Sequence, residues 1–405
     1  MKYPEYIKNC IELLEAAGYS AYAVGGAVRD LMLGNEPSDW DVTTSARPEQ
    51  MLEIFKNFRT IPTGIKHGTV TVLVNDGQKN VPVEITTFRI DGEYRDSRHP
   101  ESVEFSKDVR DDLSRRDFTV NAMAFNEKEG IIDAFCGQSD LENRIIRAVG
   151  DPEKRFSEDA LRILRAFRFA SQLEFEIEEN TLVAAQKYSP LLKNIARERI
   201  GVEFKKLISC EGVAYSLQKM IEYDVWQNLF DAPNPNFDTI SQIAHLKNGS
   251  FATRLAALTV ELPTGEREAL LSSLRLSNNE KKLVLRLCSV KEFIVPRDIA
   301  DFPKSARHFL HLYSNIYEES IEMLKFFNGE GNVYAFISVI SAEGRKNNPL
   351  TISDLNVKGN DILPLCKNNF STVGKTLALL LERVIDDPTL NQKEKLLEIA
   401  KKSLE

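Results

Sequence analysis

Residues 20–41 read SAYAVGGAVRDLMLGNEPSDWD, and this stretch sets the fold class. Residues 20–24 are short, apolar and β-prone, so they read as a strand. Gly25-Gly26 interrupts it, and AVRDLMLG reads as a helix that stops at Gly34. Asp39-Trp40-Asp41 then places two carboxylates one residue apart on an extended segment, where they point to the same face. Two acids so spaced can share divalent cations. An all-oxygen site suits Mg²⁺, which keeps several waters and takes its other ligands from substrate phosphates. A lone pair of this kind is most often a solvated loop. The glycine pair upstream changes the reading, because glycines let backbone N–H groups approach a phosphate and a helix start favours an anion. Gly26 and Arg29 are therefore candidate phosphate-binding residues, with Arg29 able to pair with a triphosphate.

Working outward, residues 3–17 have the apolar spacing of a helix ending at Gly18. Residues 68–74 (GTVTVLV) and 81–89 (VPVEITTFR) read as two strands. Asp76-Gly77 between them signals a hairpin with a loop longer than two residues. Glu84 lies on the second strand among β-branched neighbours. It is either an acid at the core edge paired to an arginine, or the third member of a metal triad. Two-metal phosphoryl transfer needs three acids, two bridging both ions and one completing the site of the ion that activates the nucleophile.

Near residue 145 the texture changes from mixed to almost wholly helical. Helical periodicity over 157–173 predicts a helix with Ser157 as N-cap and Glu158 and Asp159 in its first turn. Further helical patterns cover 178–188, 196–223, 237–246, 250–260, 266–273, 278–290, 304–327, 331–342, 372–385 and 391–403. The expected architecture is α+β: a mixed-sheet head flanked by helices over 1–145, a helical neck over 146–205, a helical body over 206–300 and a helical tail over 301–405.

The chain has 405 residues, 42% of them hydrophobic, and a formal charge of −8. That charge excludes a generally basic nucleic-acid coat protein but not a basic groove on an acidic body. Cys10, Cys136, Cys210, Cys288 and Cys366 form no paired motif, so neither a disulfide framework nor a structural zinc site is expected. The first ten residues lack the apolar core of a signal peptide, and no apolar run is long enough for a membrane span. The expectation is a cytoplasmic protein with no membrane association. His67, His99, His245, His308 and His311 show no metal-ligand spacing, and His308 and His311 read as structural.

Gly25-Gly26-x-Val28-Arg29-Asp30 with Asp39-x-Asp41 resembles the nucleotidyltransferase signature of the tRNA CCA-adding and bacterial poly(A) polymerase family. Four further blocks agree in order. Asp91-Gly92-x-Tyr94-x-Asp96-x-Arg98-His99-Pro100 resembles the flexible loop of CCA-adding members. Arg115-Arg116-Asp117-Phe118-Thr119-Val120-Asn121-Ala122-Met123-Ala124 resembles the RRDFTxNAMA block. Gly137-x-x-Asp140-Leu141 with Arg147 resembles the block joining head to neck. Asp151-Pro152, Arg155-Phe156 and Glu158-Asp159-Ala160-Leu161-Arg162, followed by Arg165 and Arg168-Phe169, resemble the EDxxR nucleotide-selecting block. The likeness is strong over 20–205 and faint over 351–401. One departure is Asp133-Ala134-Phe135-Cys136, where relatives commonly carry Pro and Gly; little consequence is expected.

The resemblance implies template-independent addition of CMP and AMP to the 3′ end of tRNA from CTP and ATP, with pyrophosphate released. Asp39 and Asp41 would hold Mg²⁺, and Glu84 would complete the catalytic acids. Gly26, Arg29, Arg116, Arg165 and Arg168 would hold the nucleotide, and Asp159 and Arg162 would read its base. Set at i and i+3 on one helix, these two share a face. The carboxylate accepts the amino proton of cytosine or adenine, and the guanidinium donates to the adjacent ring nitrogen. Guanine and uracil reverse that pattern, at roughly 1–3 kcal/mol per unpaired buried group. Outside this context the pair would be an ordinary surface salt bridge.

Arg162, Arg165 and Arg168 recur every third residue opposite an apolar side, so they are expected to face the triphosphate. Lys193, Arg197, Arg199, Lys205 and Lys206, with scattered tail lysines, are candidates for tracking the acceptor-arm backbone. The charged segment 91–103 is expected to be a mobile lever for switching from C to A addition. Competing readings are an A-adding enzyme with a separate CC-adding partner, a poly(A) polymerase, and a catalytically dead RNA-binding protein. No obligate protein partner is implied.

Overall fold

The computed structural model describes residues 2–62, 64–92, 102–230, 232–246, 249–366 and 369–404. The chain is α+β and forms two compact units, Met1–Ala244 with Pro263–Leu276, and His245–Leu262 with Ser277–Glu405.

The first unit contains the strands β1 (Ala21–Val24), β2 (Asp41–Thr44), β3 (Arg59–Ile61), β4 (Thr69–Asn75), β5 (Asn80–Thr87), β6 (Arg89–Asp91), β7 (Val103–Phe105), β8 (Met123–Asn126) and β9 (Gly130–Asp133). Seven of them form one mixed sheet in the order β3-β4-β5-β2-β1-β8-β9, while β6 and β7 pair separately. The β4–β5 hairpin closes between Asn75 and Asn80. Its turn is made by Asp76, whose Oδ1 accepts the N–H groups of Gln78 and Lys79, each at 2.8 Å. β2 runs parallel to β5, with Asp41 opposite Glu84, and antiparallel to β1, with Asp41 opposite Val24. The central strands β1 and β8 are buried along their whole length, as strands covered on both faces must be. Tyr22, Val24, Phe88, Val109, Leu113, Ala122 and Ala124 form part of one buried apolar cluster in this region.

The helices around and after the sheet are α1 (Glu5–Ala16), α2 (Gly26–Met32), α3 (Pro48–Ile54), α4 (Val109–Ser114), α5 (Gly137–Glu142), α6 (Pro152–Glu158), α7 (Leu161–Leu173), α8 (Glu179–Tyr188) and α9 (Arg197–Ile208). The single helix expected over 157–173 is two. Asp151 caps α6 by accepting the Glu153 N–H at 3.0 Å, with Pro152 at the first helical position. Ser157 therefore lies in the last turn of α6 and caps nothing. Asp159 is extended (φ −145°, ψ 101°), and its Oδ1 accepts the Leu161 N–H at 3.0 Å. A short polar side chain that satisfies a free N–H restarts the helix one turn further on. The pattern over 196–223 also divides. At Gly212 an added Cβ would lie 2.7 Å from the Ser171 carbonyl oxygen, so a close backbone approach ends the run there.

The second unit is helical, built on Phe251–Thr259, Asn278–Cys288, Phe302–Tyr313, Tyr317–Asn328, Glu330–Gly344, Phe370–Asp386 and Lys393–Leu404. The pattern over 304–327 is two helices joined by a turn at Ser314–Ile316. Buried Arg307 donates to the carbonyls of Ile385 at 2.6 Å and Asp386 at 2.7 Å, closing a helix end with a cation. His308 bonds Asp386 at 2.8 Å and His311 bonds the Leu350 carbonyl at 2.6 Å, so both are structural.

Candidate active site

Asp41 opens β2, and Asp39 precedes it by two residues, with Trp40 turned into the core between them. The parallel register sets Glu84 beside Asp41, although the two lie 43 residues apart in sequence. All three acids are exposed. Asp39 accepts a hydrogen bond from Ser38 Oγ at 3.1 Å. Among the described residues, Asp41 and Glu84 have no side-chain hydrogen bond or ion pair. Desolvation against the sheet pushes the Asp41 carboxyl above the usual carboxylate range. Arg116 pulls it down, and the charges of Glu84 and Asp39 push it further up. Hard oxygen donors without an ion-pair partner suit a divalent cation. Among the described residues no three ligating side chains stand together as a ready-made metal site.

Beside the acids lies the glycine turn. Gly25 has φ +78°, where glycine is favoured, and a Cβ there would stand 3.0 Å from Arg116 Nη1. Arg116 thus lies against the turn, donates through Nη2 to Asp112 at 3.1 Å, and keeps a buried Nε without a partner. Gly26 begins α2. Arg29 is buried and held within the protein, by Asp30 at 2.7 Å and by Asn121 Oδ1 at 2.8 Å.

The base-reading candidates do not pair with each other. Asp159 lies in the break between α6 and α7, and its Oδ2 accepts Arg199 Nη2 at 2.7 Å. Arg162 bonds Glu158 at 2.7 Å and the Arg115 carbonyl at 3.1 Å. The shared helix face expected from i,i+3 spacing is absent because Asp159 is not helical. Arg165 pairs with Asp117 at 2.6 Å, and Arg168 pairs with Glu203 at 2.6 Å while stacking over Phe169 at 3.8 Å. Burial alone would raise the Asp117 carboxyl. The Arg165 guanidinium outweighs it, helped by Arg162 and Asn121, and the pKa falls to about 2. A cavity of about 540 Å³ lined in part by Tyr6, Leu13, Phe58 and Val74 contains none of these groups, so charge and not cavity size marks the site.

The chain is similar to known proteins in sequence and in fold. The sequence family described as "Poly A polymerase head domain" matches residues 21–147, and "Probable RNA and SrmB- binding site of polymerase A" matches residues 174–239. The CCA-adding enzyme of Enterococcus faecalis is 35% identical, over 97% of this chain and 94% of its own. The chain belongs to the CCA-adding enzyme family. The CCA-adding enzyme of Ligilactobacillus salivarius is 36% identical, over 99% of this chain and 98% of its own. The crystal structure of the Bacillus stearothermophilus CCA-adding enzyme in complex with CTP superposes with a TM-score of 0.79 at 30% identity, over 100% of this chain and 99% of that one. CCA-adding enzymes are tRNA nucleotidyltransferases, a metal-dependent class.

Sequence reasoning missed the arginine-holding roles of several residues around the candidate site. Asp112, Asn121, Glu158 and Glu203 each hold an arginine of the site. Their signal was present at i,i+3 and i,i+4 only for Asp112 and Glu158. Arg199 pairs with Asp159, and Arg197 donates to the Leu229 carbonyl at 2.8 Å. Neither is an unengaged charge waiting for RNA. Cys136, in the segment that departs from relatives, has φ +61°, a left-handed conformation that favours glycine. The lever expected over 91–103 lies mostly outside the described residues. Of its ends, Asp91 bonds Arg89 Nε at 2.9 Å and Gly92 donates to the Ser102 carbonyl at 2.9 Å. Among the described residues no helix is long and apolar enough to cross a membrane.

Proposed function

We propose that this protein adds CMP and AMP to the 3′ end of tRNA, building or repairing the CCA terminus from CTP and ATP. The observation that carries the reading is the register that sets Glu84 beside Asp41, with Arg116 against the glycine turn and its charge felt at Asp41. Asp39 and Asp41 would hold Mg²⁺, with Glu84 as the third acid. The bound metal supplies charge neutralisation at the α-phosphate and a more nucleophilic 3′-oxygen. The tRNA 3′-hydroxyl gives its proton to solvent as its oxygen forms a bond to the α-phosphorus, and the bond from that phosphorus to the bridging oxygen of pyrophosphate breaks. Arg116, lying against the glycine turn, would meet the polyphosphate. Gly25 and Gly26 keep that approach open by carrying no side chain. Arg29, Arg165 and Arg168 support the nucleotide through the walls they brace.

Asp159 and Arg162 read the base. Each already has a protein partner, and a carboxylate has lone pairs to spare, so Asp159 can accept an amino proton while it holds Arg199. Cytosine and adenine match the pair; guanine and uracil leave both groups facing their own kind. The A-adding and poly(A) polymerase alternatives are not favoured, because relatives matching nearly the whole chain are CCA-adding enzymes. The head (1–145), neck (146–205), body (206–300) and tail (301–405) divide this work, with the tail gripping tRNA. The site of action is the cytoplasm. The test supplies each NTP separately, then CTP with ATP, to tRNA lacking its terminus, with and without Mg²⁺. The reading expects Mg²⁺-dependent addition of C, C and A and no run of U or G. Metal-independent addition, or an unlimited A tail, would refute it.

A further inference from the structure

We propose that Asp112 is a positioning residue that sets both halves of the site at once, fixing Arg116 beside the acids and Arg115 under the base reader Arg162. The proposal rests on the functional reading above. The Asp112 side chain is fully buried near the C-terminal end of α4. Its Oδ1 accepts Arg115 Nε at 3.0 Å and Nη2 at 2.7 Å. Its Oδ2 accepts Arg116 Nη2 at 3.1 Å and Thr43 Oγ1 at 3.2 Å. Thr43 stands two residues after Asp41 on β2 and points to the same face. One carboxylate therefore touches the strand that carries the metal acid and both arginines of the RRDF block. The Arg115 backbone carbonyl, at the end of α4, accepts Arg162 Nη2 at 3.1 Å. The neighbouring Ser114 carbonyl accepts Arg155 Nη1 at 3.1 Å. Helix C-terminal carbonyls carry partial negative charge and suit guanidinium groups.

A buried carboxylate is retained only when well paired, and this one faces two cations. Its charge is spent chiefly on Arg115 through two hydrogen bonds, and Arg116 receives one. Arg116 is thereby anchored yet keeps positive charge for an anion. Without Asp112, the acid that already feels Arg116 is Asp41. Arg116 would then compete with the metal for that carboxylate. In the same step Arg115 would loosen, and with it the carbonyl that orients Arg162.

The test uses the full chain and three readouts: the Mg²⁺ concentration for half-maximal CMP addition, the KM for CTP, and the ratio of CMP to UMP incorporation. Asp112→Asn is expected to raise the first two and to lower the third, each about tenfold. Arg115→Met is expected to lower the CMP/UMP ratio while leaving the Mg²⁺ requirement unchanged, which separates the two arms. A folded Asp112→Asn protein that loses only kcat, with all three readouts as in wild type, overturns the proposal in favour of a merely structural role. Should Asp112→Asn fail to fold, Arg115→Met decides: a lowered ratio supports the proposal and an unchanged ratio overturns it. Failure of the functional reading appears elsewhere, in a wild type that adds no CMP or an Arg162→Ala variant of unchanged selectivity. Either result would remove this proposal as well.

Discussion

The acids on and just before β2, with Glu84 on β5, and the arginines between α4, α7 and α9 form one candidate site but are built on opposite principles. Asp39, Asp41 and Glu84 gather negative charge that no side-chain cation among the described residues pairs with. Asp112, Asp117, Asp159 and Glu203 each face at least one arginine, at 2.6–3.1 Å. The first region is in electrostatic deficit until a cation arrives. In the second, each acid is paired before any nucleotide binds. Substitution should therefore cost catalysis without stability at the exposed acids, and stability at a paired acid such as Asp117.

The largest effect is expected at the acids. Asp39→Asn or Asp41→Asn should lower CMP addition on the order of 10³-fold, since a metal ligand contributes several kcal/mol to the transition state. The metal-free Asp41→Asn protein should unfold at the wild-type temperature or above it. The sign follows from the raised pKa. An ionised Asp41 costs the folded state at neutral pH, and the cost is relieved as pH falls through the raised value, so a neutral amide removes it. A clear fall in melting temperature would break the contrast. Next in size, Asp159→Ala or Arg162→Ala should relax discrimination against UTP and GTP about 10- to 100-fold, as each leaves one base edge unread. Rates with four separate NTPs check this, and unchanged ratios in both variants would move base reading elsewhere.

Asp117→Asn tests the paired region. With its pKa lowered to about 2, Asp117 contributes stability that is present above its ordinary pKa and lost as pH falls toward 2. The shift corresponds to roughly 2 kcal/mol at neutral pH. Urea unfolding should show that deficit at pH 7, shrinking steadily toward pH 2; a difference independent of pH would contradict the ion-pair account. The smallest effect is at Cys136. Cys136→Gly relieves a left-handed conformation and should stabilise by about 1 kcal/mol or less, because glycine also gains unfolded-state entropy. Thermal unfolding would show it as a small upward shift, with CMP addition unchanged.

Local chemistry made much of this legible in the sequence. A strand, a glycine pair, a helix and an acid pair follow one another within 22 residues, and each signal is local. Glu84 could be suspected only as a third acid, because a parallel pairing with β2 is not written in either strand. The i,i+3 argument for Asp159 and Arg162 fails on the backbone of one residue, Asp159. Asp159 uses its own carboxylate to restart a helix, and periodicity does not register a break that keeps the apolar residues in phase. Glu203 looks like a solvated acid on an amphipathic helix until α7 and α9 are brought together. Cys136 looked inconsequential because composition says nothing of φ.

The contrast between deficit and completeness is tested most directly by Mn²⁺ binding, followed by electron paramagnetic resonance at pH 7 in the presence of CTP. Wild type and Asp117→Asn, where folded, are expected to bind Mn²⁺ alike, and Asp41→Asn to lose that binding. Wild-type affinity in Asp41→Asn would contradict the assignment of the exposed acids as the metal site.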